Sequence, residues 1–180
     1  MRVCLVIAAA AACAHAPQRW PVPDGWRRET IAFPLDFAPA LAHRGVEELR
    51  FAPGFFEPHA GGYWSYAFAW RTDDRAALDA SALAGELTTY FRGLVAAVDK
   101  LLATDGLSVH ATGRVDRFAL TAHVIDAFKT KDWVELVGTA TRRRCGDGAL
   151  WVFTLAPAAT TVRAELDRLA AAARCDSVGK

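Results

Sequence analysis

The chain has 180 residues, of which 21 are basic, 20 are acidic and 53% are hydrophobic. This length favours one domain, and the near-zero charge argues against a nucleic-acid-binding surface or a polybasic membrane patch. Arginine far outnumbers lysine, asparagine is absent and Gln18 is the one glutamine, a composition that indicates a GC-rich bacterial genome.

An export signal is predicted for residues 1–16. Arg2 precedes an apolar run over residues 3–12, which is too short to cross about 30 Å of hydrocarbon as a helix. Ala14-His15-Ala16 fits the small-x-small cleavage pattern, although Pro17 would then follow the cleaved bond. Removing residues 1–16 deletes Arg2 alone among the charged residues, which leaves 20 basic and 20 acidic residues.

A second interpretation places the processing site earlier. Ala10-Ala11-Ala12-Cys13 resembles a bacterial lipobox, with alanine at position 10 where leucine is usual, so Cys13 is the lipidation candidate. Residues 17–24 are rich in proline and predict an extended tether. The protein is therefore expected in the periplasm or cell envelope, and only a lipid anchor at Cys13 would attach it to a membrane.

Alternating and helical patterns predict nine elements in a single domain over residues 25–176. Strands are expected at 26–33, 46–51 and 63–71, with an irregular apolar segment at 34–39. A long helix capped by Asp79 follows over 79–102. Four more strands are expected near 107–112, 117–129, 133–144 and 149–155, and Thr160 or Thr161 would cap a last helix that ends at Arg174.

The strands come in runs rather than alternating with helices. This order, β-β-β-α-β-β-β-β-α, predicts an α+β fold with a mainly antiparallel sheet of six to seven strands and the long helix on one face.

Residues 63–70 carry an aromatic side chain at every even position. Because side chains alternate along a strand, Trp64, Tyr66, Phe68 and Trp70 are expected to form one stripe. The opposite face carries Ser65, Ala67 and Ala69, and we expect the long helix to pack there. The stripe is then part of the core, the wall of an apolar-ligand pocket or a contact with a partner. Trp151, Phe153 and Leu155 also alternate along their predicted strand and could lie on the same face of the sheet.

The loop before this strand is the expected rim of any pocket. It contains His59 and two glycines, and binding residues are often found in such loops.

Two cysteines are predicted to pair. Export leaves Cys145 and Cys175 in an oxidising compartment, where a disulfide would close a loop of about 30 residues and stabilise the fold by roughly 3–4 kcal/mol. The alternative is two free buried thiols.

Motifs of catalysis and metal binding are missing. The sequence has no GxGxxG, HExxH, CxxC or GxSxG pattern. His123 and Asp126 are three apart on a predicted strand and would point to opposite faces, as would the neighbours Glu47 and Glu48. His110 and His123 could meet across the sheet, and Asp73-Asp74 is expected to be a solvated turn. No catalytic residue, metal or cofactor is predicted.

The leading functional hypothesis is an exported, non-enzymatic domain that binds an apolar small molecule or a protein partner through Trp64, Tyr66, Phe68, Trp70 and His59. Two alternatives remain open: an exported hydrolase that uses a histidine and a carboxylate, and a structural subunit that assembles through its aromatic face.

Overall fold

The computed structural model describes residues 20–74 and 77–175. The predicted signal, Cys13 and residues 17–19 of the predicted tether lie outside the described residues. The elements are β1 (Arg27–Phe33), β2 (Gly45–Phe51), β3 (Tyr66–Thr72), α1 (Ala80–Val98), β4 (Ser108–Arg114), β5 (Arg117–Ile125), β6 (Trp133–Cys145), β7 (Gly148–Ala156) and α2 (Arg163–Ala172). This order confirms the predicted α+β class.

The strands form one antiparallel sheet in the order β1-β2-β3-β7-β6-β5-β4. The first three strands form a meander, and α1 carries the chain to the opposite edge. The last four strands then return toward the middle, where β7 pairs with β3. These two central strands are the most deeply buried, so the aromatic sequence of β3 lies at the centre of the fold.

The two helices cover opposite faces of the sheet, and the expected assignment was wrong. Helix α1 packs on the aromatic face, where Leu83, Leu87 and Tyr90 join the core around Phe68 and Trp70. The shorter α2 packs on the small-residue face against a core that includes Ala67, Ala69, Leu150 and Val152. Large rings need a long apolar helix face to bury them, whereas a flat alanine surface accepts a short helix at close range.

Several boundaries differ from the predicted ones for local reasons. Strand β3 starts at Tyr66, because Trp64 has a φ of 47° and lies in the preceding turn. Strand β5 ends at Ile125, because the carboxylate of Asp126 accepts hydrogen bonds from the amides of residues 128–130 and folds the chain into a loop.

The helix ends also need correction at two places. Asp79 caps α1 as predicted, accepting a hydrogen bond of 2.8 Å from the amide of Ala82, but the helix stops at Val98. Helix α2 starts at Arg163, and neither Thr160 nor Thr161 caps it. Its N-cap position is Val162, which makes no side-chain capping bond.

An irregular segment after β1 closes part of the aromatic face. Leu35, Ala38 and Leu41 are buried in the α1-side core. Gly93 lets α1 approach this segment, since a Cβ at that position would lie 2.1 Å from the carbonyl oxygen of Phe37. The segment therefore extends the cover that the helix alone provides.

The C-terminal end of α2 is fastened to the sheet. Arg71 donates a 2.6 Å hydrogen bond to the carbonyl of Arg174, and Arg143 donates to that of Ala173. The sulfur atoms of Cys145 and Cys175 lie at bonding distance, which confirms the predicted disulfide. In the described ranges, neither helix is both long and apolar enough to cross a membrane.

Candidate ligand-binding site

A cavity of about 230 Å³ lies between α1 and the β1–β3 half of the sheet. The sheet contributes Ile31, Leu49 and Phe51 to its floor, and α1 contributes Tyr90 and Leu94 to its roof. These positions follow from the register, which sets the odd-numbered residues of β1 and β2 beside the aromatic side chains of β3. The cavity therefore occupies a region of the aromatic face that α1 does not fill.

Loop residues complete the wall with aromatic rings. These are Phe37, Phe55, Phe56, Trp64 and Phe128. Successive rings touch along one side: the centroids of Phe55 and Phe56 are 4.8 Å apart, and those of Phe56 and Phe128 are 5.1 Å apart. Eight of the twelve lining residues are aromatic, so the cavity presents mainly π surface.

Tyr66 has a buried polar atom next to this apolar wall. Its side chain lines the cavity, and its hydroxyl is buried without a hydrogen-bond partner among the described residues. Burial, with a smaller contribution from the carboxylate of Glu47, raises the pKa of Tyr66 well above its usual value. The hydroxyl thus remains protonated, and a buried hydroxyl without a partner is costly.

Glu47 lies next to the cavity on the same face of the sheet. Its Oε1 accepts a hydrogen bond of 3.0 Å from the indole nitrogen of Trp70, while its Oε2 is buried without a partner in the described part of the chain. Burial raises the pKa of Glu47 to about 7, against the opposing effect of the nearby Trp70 indole and Tyr90 hydroxyl. A carboxyl group with such a pKa changes its charge near neutral pH.

The predicted ligand residues separate into two groups. Trp64 and Tyr66 line the cavity, whereas Phe68 and Trp70 are fully buried core residues and do not. His59 is also absent from this wall, and it lines a shallow depression with Tyr63, on a backbone with a φ of 73°. The structure therefore brings together only part of the predicted set.

Sequence reasoning missed the contribution of α1 and of distant loops. Tyr90 lies on a helix that the sequence predicts on the other side of the sheet, so its place in the wall could not be derived. Phe128 was assigned to a strand, but it reaches the cavity because Asp126 turns the chain. Glu47 was correctly separated from Glu48, which faces the other way and pairs with Arg71 at 2.7 Å.

A second polar cluster lies at the far end of the aromatic face. The Nδ1 of His43 is 3.0 Å from a carboxylate oxygen of Asp74, and its Nε2 is 2.9 Å from one of Glu86. Hydrogen bonding to Glu86, opposed by burial and assisted by Asp74, raises the pKa of His43. Asp73 is exposed and Asp74 is partly exposed, as expected of a solvated turn, and Asp74 in addition pairs with His43. Since both ring nitrogens are engaged, this cluster ties α1 to the sheet rather than presenting a free base.

The other predicted polar residues are separate. His123 stacks on Trp133 and bonds to Glu135, and Asp126 accepts a 2.6 Å hydrogen bond from Tyr63. The register sets His110 opposite Thr121 rather than opposite His123. Within residues 20–74 and 77–175, no group of three or more histidine, cysteine or acidic residues could hold a metal ion.

Comparisons of the chain with protein-family models, curated proteins and solved structures found no match. The functional argument therefore depends on the chemistry of the cavity.

Proposed function

We propose that this protein is an exported, non-enzymatic domain that binds an apolar small molecule in the aromatic cavity. The observation that carries the proposal is a cavity of about 230 Å³ whose lining in the described part of the chain is almost entirely apolar. Engineered apolar cavities of roughly 150 Å³ already bind benzene. Binding sites for small molecules commonly combine an apolar wall with a few polar groups.

Export is the second part of the proposal. Its support is the signal-like sequence of residues 1–16 and the disulfide between Cys145 and Cys175, a bond found mainly in oxidising compartments. The intact mass of the protein recovered from a bacterial envelope fraction tests this part. A start at acylated Cys13 or a start at Pro17 supports export, whereas an intact residue 1 in the cytoplasmic fraction contradicts it.

Toluene titrated into the full chain tests the binding site, with ligand-observed NMR as the readout. We expect saturable binding with a Kd of about 1 mM or lower, an ordinary affinity for a ligand of this size. Leu94→Trp inserts a larger side chain into the cavity and should abolish binding. Ala97→Trp is the matched control, because residue 97 lies on the same helix but is exposed, and it should leave binding unchanged.

Two results would contradict the proposal. One is no saturable binding to the wild-type chain. The other is equal binding to the Leu94→Trp and Ala97→Trp variants when both are folded by circular dichroism, since the toluene would then lie outside the cavity.

A further inference from the structure

The charge among the residues that line the cavity is negative. Among its lining residues in the described part of the chain, Glu29 is the one that carries a charge. Glu29 is exposed on the edge strand β1 and therefore stands at the rim. No lysine, arginine or histidine lines the cavity within the described ranges, so it contains no cationic partner for a ligand carboxylate.

A second acidic residue, Glu47, lies behind the cavity wall and also favours a positively charged ligand. The register sets Glu29 opposite Leu49 and Ile31 opposite Glu47. Glu29 and Glu47 are therefore diagonal neighbours on the cavity side of the sheet. Burial is the main cause of the raised pKa of Glu47, and the charge of Glu29 adds a small contribution.

The aromatic rings of the wall also attract positively charged groups. The face of an aromatic ring carries partial negative charge and attracts cations, most strongly where water is excluded. One ring of the wall already accepts a cation of this protein: the guanidinium carbon of Arg27 lies 5.1 Å from the centroid of Phe56. Arg27 is not among the lining residues and is exposed.

We infer that the cavity selects hydrophobic cations, such as aryl or alkyl ammonium compounds, over carboxylates and neutral molecules of similar shape. The apolar part of the ligand would contact the rings of Phe51, Phe55 and Tyr66, and its cationic group would lie toward Glu29 at the rim. This inference rests on the proposed function, since it names the ligand class of the same cavity.

A set of ligands matched in shape tests the inference. Benzyltrimethylammonium is the cation, neopentylbenzene is its neutral isostere, and phenylacetate is the anion. Each is titrated into the full chain at neutral pH and low ionic strength, where electrostatic differences are least screened. We expect the cation to bind about tenfold more tightly than neopentylbenzene, and phenylacetate to bind most weakly.

Two variants test whether the preference for a cationic ligand depends on Glu29 at the rim. Glu29→Gln should reduce benzyltrimethylammonium binding about threefold or more and affect neopentylbenzene binding less. Glu57→Gln is the control, because Glu57 is an exposed acid on a nearby loop and does not line the cavity. It should behave as the wild type does.

Each outcome separates the two proposals. If neopentylbenzene binds as well as the cation, or if the preference is the same in Glu29→Gln, this inference is overturned while the apolar binding site stands. If none of the three compounds binds while toluene does, this inference alone is overturned; if toluene does not bind either, the proposed function is overturned with it.

Discussion

The two faces of the sheet are built on opposite principles. The face under α1 carries large rings, such as Phe68, whose centroid lies 4.4 Å from that of Phe153. The face under α2 is nearly flat, with Ala67 and Ala69 from β3 and Val152 from β7, and the indole of Trp20 closes its side by donating a 2.9 Å hydrogen bond to the carbonyl of Leu169. One face is thick and aromatic, and the other is thin and aliphatic.

This difference explains where a cavity can form. Small side chains let a helix approach closely and leave little space between layers. Rigid rings hold the helix away from the sheet, and over β1 and β2 the space between the rings and α1 is not filled. The α2 face is instead closed by local bonds from Arg71, Arg143 and the disulfide. The proposed ligand binding therefore belongs to the first face, and the bonds that hold the chain terminus belong to the second.

Truncation of one buried side chain on each face should show the contrast most strongly. Phe68→Ala removes a ring that packs on Tyr66, Tyr90 and Phe153. We expect it to reduce the free energy of unfolding by about 3–5 kcal/mol, measured by urea denaturation. Leu166→Ala on the α2 face should cost less, about 2–3 kcal/mol, because a short helix on small side chains can move inward and shrink the new cavity. An equal or larger cost for Leu166→Ala would contradict this view of the two faces.

Burial of the Glu47 carboxyl group on the α1 face should make the free energy of unfolding depend on pH. The pKa of Glu47 rises from 4.5 to about 7 on folding, so the native state binds more protons than the unfolded state between these values. The free energy of unfolding should therefore fall as the pH rises from 4.5 to 7, by on the order of 3 kcal/mol, and should then lose no more from this group. Denaturation at pH 5 and pH 7 measures the change.

Glu47→Gln is the variant that isolates this effect. Glutamine keeps an acceptor for Trp70 and does not ionise, so the fall between pH 5 and pH 7 should largely disappear. Glu29→Gln is the control, since it removes an exposed carboxylate from the same face and should keep most of the fall. His43, whose pKa is also raised, adds a loss of stability as the pH rises above 6.5, and both variants retain that loss. A fall that persists in Glu47→Gln would show that burial of Glu47 is not its source.

Local patterns predicted the elements well and their packing poorly. The alternation in β3 and the spacing of Leu83, Leu87 and Tyr90 depend on neighbours in sequence, so they could be derived directly. Which face of the sheet α1 covers depends on the thickness of each layer of side chains, and the alternating pattern of β3 does not determine this. The buried oxygen atoms of Glu47 and Tyr66, which have no partner among the described residues, depend on contacts between distant segments. Because neighbouring strand residues point to opposite faces, the sequence could separate Glu47 from Glu48. It could not show that other segments bury Glu47.

The smallest expected effect concerns the ends of the two helices, which are stabilised in different ways. Helix α1 is held at its N-terminus by Asp79, whereas α2 lacks a side-chain cap there and is fastened at its C-terminus. Asp79→Ala removes the acceptor for the amide of Ala82 and should lower the free energy of unfolding by about 1 kcal/mol. Asp79→Ser retains a capping oxygen and should lose much less, as measured by urea denaturation of both variants. An equal loss in the two variants would mean that the charge of Asp79 near the helix dipole, rather than the capping bond, stabilises this end of α1.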